Sequence, residues 1–143
     1  MRTKEKQQAL VEQLRTWQKL ENAAITQTSK IMEETDHPLI RAVAEIIQRD
    51  SHMHYRIQQL IIDSFEEQAI PLLMDQLDKV WETADKHLQI EKKTIEAAEK
   101  SLATLEKTRN VVQLYLLNYL LADEKKHERL LTDLDLIKRK MYP

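Results

Sequence analysis

The sequence predicts an all-α protein folded as a four-helix bundle, and three observations predict it. The chain has no glycine and only three prolines, at positions 38, 71 and 143. Good helix formers, chiefly Leu, Ala, Gln, Glu and Lys, make up most of the rest. Apolar residues recur every three or four positions along four long stretches, with no alternating run that would make a strand. At 143 residues the chain is expected to form one domain.

The first helix is expected over about Thr3–Glu34, with Leu10, Leu14, Trp17, Glu21, Ile25 and Thr28 on one face. Asp36-His37-Pro38 closes it and opens the second, because proline is at home in a first helical turn and Asp36 can cap, capping also accounting for His37. The second helix follows to about Glu66, with Ile40, Val43, Ile47, Asp50, His54, Ile57 and Ile61 turned inward. Gln68 to Leu73, broken by Pro71, reads as the mid-chain loop. The third helix is expected over about Asp75–Lys107, its stripe passing through Leu77, Trp81, Ala84, His87 or Leu88, Glu91, Ile95, Ala98, Leu102 and Leu105. A tight turn near Thr108 to Asn110 leads to the fourth, which runs to about Lys140 with Leu117, Leu120, Glu124, His127, Leu131 and Leu134 inward. Before Asp123 this helix is apolar nearly all round, which suggests burial on more than one side and a homo-oligomer.

Composition narrows the chemistry. The absence of cysteine excludes disulfides, thiolate metal sites, iron–sulfur clusters and cysteine catalysis. Twenty-two basic residues against twenty-four acidic ones leave no global field for nucleic acid or an anionic membrane. No stretch approaches the roughly 18 apolar residues of a membrane span. The start of the chain, Arg2 to Gln8, is polar and lacks the apolar core of a signal peptide, so a cytoplasmic protein is expected. There is no Ser/His/Asp triad and no glycine-rich phosphate loop.

The stripes are interrupted by groups that apolar cores do not tolerate alone. An ionised carboxylate buried without a partner costs several kcal/mol, comparable with the whole stability of a small domain. Glu21, His54, Glu91, Glu124 and His127 all fall on inward faces. Each lies about 13 to 17 residues from its nearest turn, or about 20–26 Å along its helix, so short loops bring them to one level. Carboxylates with neutral imidazoles suit iron, manganese or zinc, as one or two ions per chain. A weak repeat supports the grouping. Arg49-Asp50-Ser51-His52-Met53-His54-Tyr55-Arg56-Ile57 aligns with Ala122-Asp123-Glu124-Lys125-Lys126-His127-Glu128-Arg129-Leu130, while Glu21 and Glu91 are each followed by isoleucine four residues later.

These residues resemble the ferritin-like, rubrerythrin-like di-metal carboxylate bundles, in which two helices each give a Glu and two others each give a Glu-x-x-His pair. The resemblance implies that Glu21 and Glu91 are the lone carboxylates and that Glu124 and His127 form a complete pair. It further implies that Asp50 and Asp123 accept the ring N–H of a metal-bound histidine. The implied chemistry is oxidation of Fe(II), or reduction of O₂ or peroxide. Without cysteine the chain lacks the rubredoxin-type electron centre of rubrerythrins, so peroxide turnover would need an outside reductant.

Two departures set this chain apart. Ser51 stands where the pattern wants a bridging Glu, and Asp50 or His87 could supply the missing ligand. The crossover of ferritin-like folds would span roughly 40 Å. The residues around Pro71 reach about 30 Å fully extended. An up-down-up-down bundle with short loops is therefore expected, unless helix pairs are exchanged between subunits. The alternative function is that of a non-catalytic helical interaction protein, its polar core residues setting register or partner choice.

Overall fold

The computed structural model describes residues 2–141. It is all-α, with helices α1 (Thr3–Glu34), α2 (Pro38–Glu66), α3 (Met74–Thr104) and α4 (Val111–Met141), and no strand among the described residues. Among the described residues no helix is long and apolar enough to cross a membrane. The chain divides between Ile70 and Pro71 into two compact units. Each is an antiparallel helical hairpin: α1 packs on α2, and α3 on α4.

The helix ends follow local chemistry. Arg2 N–H donates to the Glu5 carboxylate (2.9 Å), and Leu73 N–H to the Gln76 side chain (2.9 Å), each satisfying an amide that α1 or α3 leaves open at its start. His37 caps α2 as expected, its Nδ1 accepting from Leu39 N–H at 3.2 Å with Pro38 in the first helical position. Arg41 Nη1 donates to the carbonyls of Met32 and Thr35, which α1 leaves open at its C-terminus. The α3–α4 turn has no glycine to use, so Lys107 adopts the left-handed conformation with φ 63°.

In hairpin 1 the seam of α1 runs through Val11, Leu14, Gln18, Glu21 and Thr28, at alternating spacings of three and four with half-buried Ile25 filling the gap. The facing seam of α2 is Ala44, Ser51, Gln58 and Ile62. This differs from the expected stripe: Ile40, Ile47 and Ile57 are exposed, and so is Asp50. The smaller Ala44 and Ser51 lie one turn beyond Ile40 and Ile47, about 40° round the helix at 100° per residue, and it is they that meet α1. Trp17, expected inside, is 52% exposed. Val11, Leu14 and Ile62 form an apolar cluster at the end of the hairpin away from its turn. The remainder of the seam is polar. Gln18 Nε2 donates to Tyr55 O and Gln59 Oε1, and Gln48 Nε2 to Ile25 O and Ser29 Oγ, so most of these buried amides have partners.

In hairpin 2 the seam of α3 buries Leu77, Leu88, Glu91 and Ala98. The residues of α4 that face it, Leu117, Glu124, Leu131 and their neighbours, are only half-buried. Near the open end Lys138 Nζ reaches Asp78 Oδ1 at 2.6 Å, tying the end of α4 to the start of α3.

Candidate metal centre

The centre lies midway along hairpin 2. From α3 come His87, Glu91 and Thr94, spaced four and three residues apart and hence on one face. From α4 come Asp123, Glu124 and His127. One donor atom each from Glu91, Glu124 and His127 lies within 4.8 Å of the others, and these three can hold a metal ion. Glu91 is buried, at 4% exposure, while Glu124 and His127 are half-buried, so the group opens toward solvent.

The imidazole of His127 is oriented from both sides. Its Nδ1 faces the carboxylates, 3.5 Å from Glu91 Oε1 and 3.8 Å from Glu124 Oε2. Its Nε2 lies 3.3 Å from Asp123 Oδ2, and Asp123 is itself tied to Lys126 Nζ at 2.8 Å. A carboxylate beside the far nitrogen suits that nitrogen as the protonated one and the near nitrogen as the ligand atom. His87 Nε2 lies 2.8 Å from the same Glu91 Oε1, which makes His87 a neighbour of the group from one turn away.

Thr94 completes the arrangement, and the sequence reading passes over it. Its hydroxyl is 2.8 Å from Glu91 O, 2.9 Å from Glu124 Oε2 and 3.5 Å from Glu91 Oε2. The available signal was its position, three residues after Glu91 and so on the same face. A threonine in a helix usually bonds its own preceding turn, and that made it look unremarkable.

Two carboxylates this close do not ionise alike. The hydrogen bond between them, with Glu124 as donor, holds Glu91 below the usual carboxylate range, an effect reinforced by His87 and opposed by burial. The same bond pushes Glu124 upward; the Thr94 contact opposes this and burial adds to it. Glu124 therefore keeps a proton to higher pH than Glu91 does. A cation entering the group would displace that proton and gain both carboxylates.

Hairpin 1 brings together only two of the expected ligands. Glu21 Oε2 lies 3.5 Å from His54 Nδ1. Glu21 is buried and the His54 side chain is 57% exposed. Asp50, exposed on α2, is not part of this pair. Comparison with protein families, curated proteins and solved structures returns no match to this chain, so the functional argument rests on this geometry.

Proposed function

We propose that the chain is a metal-binding helical protein that holds a divalent transition-metal ion, iron foremost, on Glu91, Glu124 and His127. One observation carries this reading: three donors of metal-ligand type converge from two helices while Asp123 occupies the remaining nitrogen of the histidine. Two carboxylates and an imidazole suit iron, and they would also accept manganese or zinc. Three protein ligands leave coordination positions open, as a site does when it handles a small molecule. Oxidation of Fe(II), or reduction of O₂ or peroxide by it, is the chemistry this reading favours, with electrons from an external donor.

The test is elemental analysis after anaerobic loading with Fe(II) and removal of unbound ion, on the wild type and on a Glu91→Ala/His127→Ala double variant. Metal in the wild type and almost none in the variant is the expected result. Near-zero metal in both would overturn the reading.

A second reading, a helical interaction protein that forms homo-oligomers, is favoured by the large apolar side chains left exposed, among them Trp17, Leu20, Leu130 and Val111. Sedimentation of the metal-free chain tests it. A monomer at all concentrations would rule out self-association.

A further inference from the structure

The two hairpins carry one pattern with a single change at its centre. Aligning α1 on α3 sets Glu21 at the place of Glu91, and aligning α2 on α4 sets His54 at His127 and Ser51 at Glu124. The distances follow the alignment. A carboxylate oxygen lies 3.5 Å from the histidine Nδ1 in each hairpin, Glu21 to His54 in the first and Glu91 to His127 in the second. Ser51 sits on the buried seam of α2 at 6% exposure, so the position where hairpin 2 places its second carboxylate also faces the partner helix in hairpin 1.

The absence of that carboxylate has a visible counterpart. Glu21 is 8% exposed, and its buried Oε2 has no hydrogen-bond partner. An acceptor in that state is rare in folded proteins, and His54 Nδ1, at 3.5 Å, is the ligand-type atom beside it. In hairpin 2 the corresponding oxygens of Glu91 have His87 Nε2 at 2.8 Å and the Thr94 hydroxyl at 3.5 Å beside them.

We propose that Ser51 sets the metal stoichiometry of the chain. Hairpin 1 keeps two of the three ligands, Glu21 and His54, and without a carboxylate at position 51 it binds no ion tightly. The chain therefore holds one ion, in hairpin 2. This rests on the metal-binding reading above and adds where the ion sits and why there is one. Loss of a direct ligand weakens a site by more than loss of an outer partner does, which is itself about 10–100-fold.

Reciprocal exchange tests the proposal. Ser51→Glu, Glu124→Ser and Ser51→Glu/Glu21→Ala are loaded anaerobically with Fe(II), freed of unbound ion and counted by elemental analysis, with circular dichroism to check helicity. The expected counts per chain are one for the wild type, two for Ser51→Glu, almost none for Glu124→Ser and one for the double variant. A helical Ser51→Glu chain that still holds one ion overturns the proposal. So does a wild type that holds two ions and loses one in Glu21→Ala. If Ser51→Glu does not fold, Glu124→Ser decides, since serine is already tolerated at the matching buried position; retention of its ion would overturn the proposal. A wild type that takes up no iron is a separate failure, that of the metal-binding reading itself.

Discussion

Hairpin 1 and hairpin 2 share a pattern and put it to different uses. Hairpin 1 encloses its seam: α2 buries four residues, Val11, Leu14 and Ile62 form an apolar cluster, and glutamines bond across the polar middle. Hairpin 2 leaves its seam ajar, for no residue of α4 is fully buried among those described, and it spends the middle of the seam on two carboxylates and a histidine. The contrast agrees with the metal-binding proposal, since a ligand site needs access and desolvated charge, and both reduce packing. One position marks the divergence. A serine at 51 leaves a buried seam, and a glutamate at 124 gives a pair of coupled acids.

The sharpest way to break the comparison is to remove equivalent histidines. His127→Ala should abolish Fe(II) retention, whereas His54→Ala should leave the count unchanged; equal losses would mean that the hairpins are not functionally distinct. Next in size is a stability effect with the opposite location. Ile62 is 1% exposed, and Ile62→Ala should destabilise the apo chain by about 2–5 kcal/mol. Its counterpart on α4 is Asp135, so hairpin 2 has no equivalent loss to suffer there. Chemical denaturation measures the first effect, and an unchanged metal count in folded Ile62→Ala would separate stability from binding.

Asp123 and Asp50 sharpen the contrast further. Asp123→Asn replaces the carboxylate beside His127 Nε2 with a neutral amide and should lower metal affinity by about 10–100-fold. Asp50→Asn, on an exposed residue, should change it little. Competition against a chromophoric chelator reads both, and equal effects would deny Asp123 its orienting role.

The chain's periodicity made much of this legible. The starts of α1 and α2, the ends of both, and the His37 cap follow from Pro38, from the polar punctuation and from unbroken helical spacing. Facing stripes also point to Glu91, Glu124 and His127, while Asp123 behind them is implied by the resemblance alone. What periodicity does not encode is which neighbouring stripe meets the partner helix. On α2 the apolar line through Ile40 and Ile47 and the small-residue line through Ala44 and Ser51 lie about 40° apart, and the approach of two backbones favours the small one. Asp50 belonged to the former line, and exposure followed. Trp17 is exposed for a related reason, because it lies about 100° from Gln18, which is the residue on the α1 seam. Thr94 was illegible because a hydroxyl's partner depends on tertiary approach, here that of Glu124.

The acid pair gives a prediction in pH. Glu124 is raised in the fold, so the stability it contributes is present in acid and is lost as pH rises through its folded value. Glu91 is lowered, so its contribution is present above its unfolded value and is lost as pH falls through its folded value. The pair therefore stabilises the metal-free chain most in the acidic interval between the two folded values. A bound ion needs both carboxylates ionised, so affinity should fall by up to about tenfold per pH unit below the raised value of Glu124, and the optimum of thermal stability should move upward with metal. Thermal midpoints across this range, with and without Mn(II), check it. A metal-induced shift that does not depend on pH would show that no proton is displaced from the pair.

The smallest expected effect concerns the turns. Hairpin 1 turns at Thr35 to His37 with extended backbone at Thr35 and His37, so nothing is gained there by adding glycine. Hairpin 2 turns with Lys107 at φ 63°, a conformation that costs a non-glycine residue about 1–2 kcal/mol. Glycine removes that strain but loses more freedom on folding, a cost of about 0.5–1 kcal/mol. Lys107→Gly should thus stabilise the chain by about 0.5–1 kcal/mol, the balance of the two. His37→Gly should do the reverse, because it deletes the Nδ1 acceptor that caps α2 and adds freedom to an extended residue. Chemical denaturation of the two variants reads these opposite signs. A destabilised Lys107→Gly would mean that the lysine side chain contributes more to the turn than its backbone strain removes.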